Sequence, residues 1–282
     1  LHKQERTRLV NEAVLQMQRI CQEVRSSRLV LLADIRSEII PAVLQFADNG
    51  HLYGLFSGWQ DKEEYTYRHS IAVGVLSGLL GTWLGYSRPD VLKLITAALL
   101  HDIGKMLVPE HILNKPEKLT DHELRVMRHH TVLGYELLKE TVGISHRQAL
   151  VALQHHERLD GSGYPLGIGQ DKIDEFSRIV AIADVFHGMI SSKVYKDAAP
   201  FHEALVELER EAYNALDPTM TRVFINKFMS TLIGHSVKLT DGREGKIVLI
   251  QPMDPLRPLL QVGEQFIDLS KDFSLNISRI QV

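Results

Sequence analysis

Across residues 65–232 the apolar side chains recur at spacings of three and four, interrupted only by glycine, proline and helix-capping signals. A period near 3.6 sustained that long commits the middle of the chain to helices packed on one another. Helix starts are well marked: Thr120-Asp-His-Glu123 and Ser145-His-Arg-Gln148 read as capping boxes, and Asp217-Pro218 as an N-cap followed by proline at the first helical position. After Gly234 the period shortens to β-type runs at 236–239, 246–250, 259–262 and 265–269, with Asp241-Gly242 as a hairpin signal.

Upstream, Val10, Ala13, Val14, Met17, Ile20, Cys21 and Val24 form a helical stripe. It fits either a dimerising helix or one packed on its own domain. A second helical stretch over 28–48 leads through Gly54 and Gly58 to Asp61. The expected organisation is therefore N-terminal helices (1–60), a helical catalytic domain (61–233) and a small β-rich C-terminal subdomain (234–282), a mainly α protein.

Composition excludes some functions. With a net charge of -3 there is no general basic attraction to duplex nucleic acid, so a polyanionic substrate would have to be held by local charge and metal. The single cysteine, Cys21, cannot form an internal disulfide, which fits a reducing compartment or indifference to redox state. No apolar run reaches the length of about 18 that a membrane helix needs, and the start Leu-His-Lys-Gln-Glu-Arg lacks the apolar core of a signal peptide. The expected location is the cytoplasm.

The placement of the 14 histidines matters more than their number. The stripe Ala72, Val75, Leu76, Leu79, Leu80, Trp83 extends back to His69. The stripe Leu94, Ile95, Ala98, Leu99 leads to Asp102, with His101 beside it and Gly104 as a stop. Leu124 and Met127 lead to His130 or Thr131, then Gly134 and Leu138. Ala149, Ala152 and Leu153 lead to His156, with His155 adjacent, and Ile179, Val180 and Ala183 lead to Asp184. One inward histidine is more often a hydrogen-bonded core residue than a ligand. Five apolar faces that each carry a metal-competent residue are another matter, because buried ionisable groups cost several kcal/mol each, roughly, unless paired or coordinated. Imidazole plus carboxylate suits zinc, iron or manganese, and a carboxylate can bridge two ions.

Tyr65-Thr-Tyr-Arg-His69-Ser, His101-Asp-Ile-Gly-Lys105, Ile112-Leu-Asn-Lys-Pro116, His155-His-Glu-Arg-Leu-Asp-Gly-Ser-Gly-Tyr-Pro165 and Ala183-Asp184 resemble the successive motifs of the HD-GYP family, over roughly residues 60–232. The His-Asp pair alone is weak; the eleven-residue string from His155 to Pro165 is specific. The resemblance implies an HD-type helical bundle that hydrolyses cyclic di-GMP at two divalent metals, iron or manganese, with zinc also accepted. It implies that His69, His101, Asp102 and Asp184 hold one ion, and that Asp102 bridges to a second held by His130, His155 and His156. Lys105 would touch the scissile phosphate or assist proton transfer. The segment from Asp160 to Pro165, by itself a turn with two flexible glycines, becomes a loop near substrate or a partner such as a GGDEF-type synthase, with Tyr164 offering its ring to a guanine and Arg158 as a further substrate contact. Lys193, Tyr195 and Lys196 stand where the family has an arginine-proline-tyrosine-basic string that meets phosphate; lysine gives a point charge there instead of a fork.

His187 sits where many members have aspartate and Thr131 where many have proline, neither an expected ligand. His129 lies about 100° round the helix from His130 and is expected to face solvent. His51, His111, His122, His146, His202 and His235 lie outside the motifs and are assigned no role. Members with a third ion carry glutamate four residues before the first histidine; here that residue is Tyr65, with Glu63 and Glu64 turned away on a regular helix, so two ions are expected. Two other readings share the His-Asp core: a phosphohydrolase of other nucleotides, and a catalytically silent sensor or docking module for cyclic dinucleotide.

Overall fold

The computed structural model describes residues 3–48, 65–191 and 201–281. The stripe on α1 (Lys3–Ser27) is buried throughout. It packs on this chain's own elements: the 3-10 turn Ile103–Leu107, the helix Tyr65–Trp83 and the turn Ile35–Ile39. Of the two readings of this stripe, packing on this chain's own elements is the one observed. Arg28, with a left-handed φ of 57°, ends the helix. The next stretch begins later than expected, as α2 (Leu32–Asp34), a π-helical turn (Ile35–Ile39) and α3 (Ile40–Asp48). Pro41 has no N–H to give the Ser37 carbonyl one turn back, so the regular ladder is interrupted here.

Helix α4 (Tyr65–Trp83) is the axis of the bundle: every residue from His69 to Gly81 is buried. A helix enclosed on all sides needs neighbours all round. The nearest, α5 (Arg88–Leu99), starts at N-cap Ser87. It lies close because Gly74, Gly78 and Gly81 share one face of α4. A β-carbon at those positions would stand 3.0, 2.8 and 2.7 Å from the side chains of Leu99, Ile95 and Leu94. That approach brings His69 up to the His-Asp pair just beyond α5.

A 3-10 turn (Ile103–Leu107) and α6 (Glu110–Leu113) follow, then α7 (Asp121–Arg128), α8 (His130–Lys139), α9 (His146–Gln154) and α10 (Glu175–Ile190). Both capping boxes form as expected, each cap being worth about 1 kcal/mol. The single helix expected from Thr120 to Leu138 is divided at His129, which is exposed. The cause is local competition. His130 Nδ1 and Thr131 Oγ1 take the carbonyls of Met127 and Arg128, diverting the helical ladder.

Helix α11 (Phe201–Glu211) and α12 (Pro218–Ser230) complete the helices, α12 capped by Asp217, whose carboxylate accepts from the N–H groups of Thr219 and Met220. They carry an antiparallel sheet of β1 (Ser236–Leu239), β2 (Glu244–Gln251), β3 (Asp254–Val262), β4 (Gln265–Asp268) and β5 (Ile277–Gln281), ordered β4-β3-β2-β1-β5. The hairpin at Asp241-Gly242 forms, with φ of 90° at the glycine. Strand β5, outside the expected runs, pairs with β1. Val237, Leu239, Ile247, Leu260 and Ile280 are buried under the sheet. His202 donates from Nε2 to the Leu256 carbonyl at 3.0 Å, so its role is to tie α11 to β3. Among the described residues no helix is long and apolar enough to cross a membrane.

Candidate metal centre

Where α4, the end of α5, the start of α8, the end of α9 and the middle of α10 converge, seven side chains meet in two groups. Ligand-competent atoms of His69, His101 and Asp184 lie within 4.8 Å of one another, as do those of Asp102, His130, His155 and His156. Asp102 faces both. Its Oδ2 lies 3.3 Å from His101 Nε2 and 3.8 Å from His69 Nε2; its Oδ1 lies 3.2 Å from His130 Nε2 and 3.6 Å from His155 Nε2. Asp184 Oδ1 is 3.0 Å from His69 Nε2, and its Oδ2 is 3.9 Å from His156 Nδ1.

The sequence expectation put these histidines on helix faces, but three stand just past helix ends. His101 follows α5, His130 follows α7 and His155 follows α9. Carbonyls of a last helical turn are open to outside donors, and each imidazole uses one: His101 Nδ1 lies 2.7 Å from Ala98 O, His130 Nδ1 2.8 Å from Met127 O, and His155 Nδ1 3.0 Å from both Val151 O and Ala152 O. A carbonyl only accepts, so Nδ1 carries the proton and the Nε2 lone pair faces the centre. His69 sits inside a helix instead, and its Nδ1 meets His187 Nδ1 at 2.8 Å.

Electrostatics follow from burial and crowding. Burial works against the Asp102 carboxylate, but the charges of Lys105 and His101 hold it well below the usual range. Burial likewise opposes Asp184, and the hydrogen bond from His69 holds it well below its ordinary value. Burial pushes His155 down to about 4, lowers His69, and drives His156 well below its usual value with help from His155. His101 moves the other way: burial would depress it, but the Asp102 carboxylate lifts it. Burial also works against the Lys105 ammonium, but Asp102 raises it, its Nζ donating to Oδ2 at 2.5 Å.

The rim departs from expectation. Tyr164 stacks on His156 with centroids 4.6 Å apart, and the Arg128 guanidinium lies over the same tyrosine at 4.9 Å. The ring expected to meet a guanine is thus already in contact with protein groups. Arg158 donates from Nη1 to the carbonyls of His155 and Glu157, which binds it to its own loop. Nor is the glycine turn a free connector. A β-carbon at Gly163 would stand 2.5 Å from backbone atoms of His156, Glu157 and Arg158. Buried Glu157 accepts from the backbone N–H of Leu166 at 2.7 Å and of Ile168 at 3.1 Å. Sequence reasoning missed Glu157 and Arg128; a carboxylate directly after a histidine pair was the available signal for the first. Lys193 and Lys196 lie outside the described residues, as do Glu63 and Glu64. Tyr65 stacks against His69, centroids 5.7 Å apart, and its hydroxyl is 3.3 Å from Ser191 Oγ.

A sequence model described as HD domain matches residues 59–220. The chain is 38% identical over 200 residues to a cyclic di-GMP phosphodiesterase of Pseudomonas aeruginosa, covering 71% of this chain and 48% of that protein. It is 39% identical over 175 residues to a cyclic di-GMP phosphodiesterase of Thermotoga maritima, covering 62% of this chain and 47% of that one. The chain thus spans about half the length of the curated relatives it matches. Among solved structures, an HDG"Y"P protein from Bdellovibrio bacteriovorus superposes with a TM-score of 0.60 at 17% identity, over 77% of this chain and 69% of that one, a likeness of fold.

Proposed function

Since this chain belongs to the HD domain family, in its HD-GYP branch, we propose that it is a metal-dependent phosphodiesterase that hydrolyses a cyclic dinucleotide, cyclic di-GMP foremost, to the linear dinucleotide or GMP. The observation that carries this reading is the position of Asp102, one oxygen toward each group of histidines. The donor set also fits a pair of cations. His101 Nε2 and Asp102 Oδ1 are buried without a hydrogen-bond partner, and orphaned polar atoms at such a depth call for a compensating ligand. His69, His101 and Asp184 would hold one ion, His130, His155 and His156 the other, with Asp102 shared. Imidazole and carboxylate accept iron, manganese and zinc alike; iron or manganese is the choice that the family resemblance favours.

Such ions supply Lewis acidity to the phosphoryl oxygens and acidify the attacking water. The chain's own residues do the rest. The carbonyl-anchored histidines fix the site geometry before substrate arrives, which lowers the reorganisation needed during reaction. Lys105, held at Asp102 with its proton, would contact a phosphate oxygen or give a proton to the departing ribose oxygen. Arg128, fixed over Tyr164, would receive the second phosphate or a guanine edge, with Lys193 and Lys196 adding charge and Arg158 supporting the loop from behind. The loop from Asp160 to Pro165 would serve as the docking edge for a GGDEF-type synthase. A homodimer would use a face other than the α1 stripe. A cytoplasmic location, beside the substrate, would suit these roles.

The test is elemental analysis of anaerobically purified protein, followed by product identification from cyclic di-GMP, the mixed GMP-AMP cyclic dinucleotide and linear nucleotides. Metal-dependent appearance of linear dinucleotide or GMP supports the proposal. Binding without turnover by metal-loaded protein would favour the silent sensor, and turnover confined to mononucleotides the other phosphohydrolase reading.

A further inference from the structure

Four of the five histidines at the centre have their orientation explained by what is close to them in sequence or by the second carboxylate. His101, His130 and His155 anchor Nδ1 on carbonyls three or four residues back, and His156 turns Nδ1 toward Asp184. His69 faces Asp184 as well, but its other nitrogen is held by a further imidazole. His69 sits within the first two turns of α4, and its Nδ1 is 2.8 Å from Nδ1 of His187, a residue 118 positions away in sequence. His187 is 2% exposed and stands on α10 one turn after Asp184, whose Oδ1 faces the opposite nitrogen of His69 at 3.0 Å. The His69 ring is therefore gripped at both nitrogens by a single neighbouring helix.

We infer that His187 is a positioning residue that selects the tautomer of His69 and so sets the strength of the ion site formed by His69, His101 and Asp184. This inference rests on the metal-centre part of the functional reading and not on the identity of the substrate. A histidine ligand must leave its metal-facing nitrogen unprotonated, so His69 can serve only with its proton on Nδ1, donated to His187. In the other tautomer, Nε2–H points at Asp184 and that nitrogen is closed to an ion. The partner at Nδ1 decides between the two. A carboxylate partner only accepts and would enforce the ligand form. An imidazole nitrogen can accept or donate, according to its own tautomer, and so tolerates both forms. The tautomer of His187 therefore decides which form His69 takes at this site.

The experiment uses the full chain with zinc as the probe, titrated by competition against a chelator, and compares His187→Phe with His187→Asp. His187→Phe keeps a ring in the space but offers no acceptor; the expected result is a loss of roughly 10- to 100-fold in affinity at one of the two sites, the usual effect of removing such a partner. His187→Asp is expected to restore or exceed parental affinity at that same site. Nitrogen-resolved NMR of zinc-loaded protein supplies a readout independent of affinity. The parent should show a His69 Nδ1–H in a hydrogen bond, shifted in His187→Phe. Parental affinity in His187→Phe, or equal weakening of both sites, overturns the inference while leaving the metal centre standing. Failure of the parental protein to bind zinc overturns both.

Discussion

Gly104 lies against the main chain of His130 so closely that a β-carbon at position 104 would overlap the His130 carbonyl oxygen and press on the backbone nitrogen of Gly134. The turn that presents His101 and Asp102 and the helix that presents His130 are in direct backbone contact there, with no side chain between them. The glycine in His101-Asp-Ile-Gly-Lys105 thus sets how near the two halves of the centre stand.

Gly104→Ala is therefore expected to separate α8 from the turn, since backbone cannot yield as a flexible side chain does. Overpacking of this kind costs about 1–3 kcal/mol, and each kcal/mol lowers the melting temperature by roughly 2–4 °C in a protein of this size class. Calorimetry and metal content check it: zinc affinity should fall at both sites together. A variant that melts and binds like the parent would show that the contact can relax.

Asp102→Ala removes the carboxylate whose two oxygens face His101 and His69 on one side and His130 and His155 on the other. Phosphodiesterase activity should be lost and metal content should fall from about two ions per chain, while the helical far-UV signal persists. Two ions held as tightly as before would end the shared-ligand reading. Three ions in the parent would refute the expectation drawn from Tyr65, whose ring stacks on His69 where a third-ion ligand would otherwise begin.

Arg128 reaches the rim by lying over Tyr164, which in turn stacks on His156. Arg128→Ala should raise the Michaelis constant for cyclic di-GMP by about tenfold with turnover and metal content little changed, because uniform binding affects ground and transition states alike. Arg128→Lys should recover part of the loss, lacking the planar group that stacks and forks. A fall in kcat at unchanged KM would place Arg128 in the chemical step.

Glu123 closes the capping box of α7 and accepts from the Lys115 ammonium and from Thr120; these hydrogen bonds, Lys115 first, hold its carboxyl at about 2 against an ordinary 4.5. A folded-state value below the unfolded one stabilises the native state above the unfolded pKa, and the contribution disappears as pH falls through the folded value. Glu123→Gln should lower the melting temperature at pH 7, and the gap to the parent should shrink as pH falls from about 4.5 towards 2. A gap independent of pH would mean that the charge of Glu123 contributes nothing.

The sequence by itself determined whatever a few neighbouring residues can encode. Thr120, Ser145 and Asp217 announced their helix starts because a cap needs only the next three N–H groups, and the period around His69 and Asp184 marked which face turns inward. The seven polar residues of the centre were legible for the same reason, as inward positions that an apolar core would not tolerate unpaired. Tertiary structure decided where the helices stop. The run of helix-forming residues through His130 breaks because Nδ1 takes a carbonyl three residues behind it, and that orientation is held because Nε2 meets Asp102, a partner that only the packed bundle brings near. The grip of His187 on His69 and the seat of Gly104 on His130 join segments 118 and 26 residues apart. Such contacts leave no periodicity to read, because they come into being only when α4, α8 and α10 have already packed.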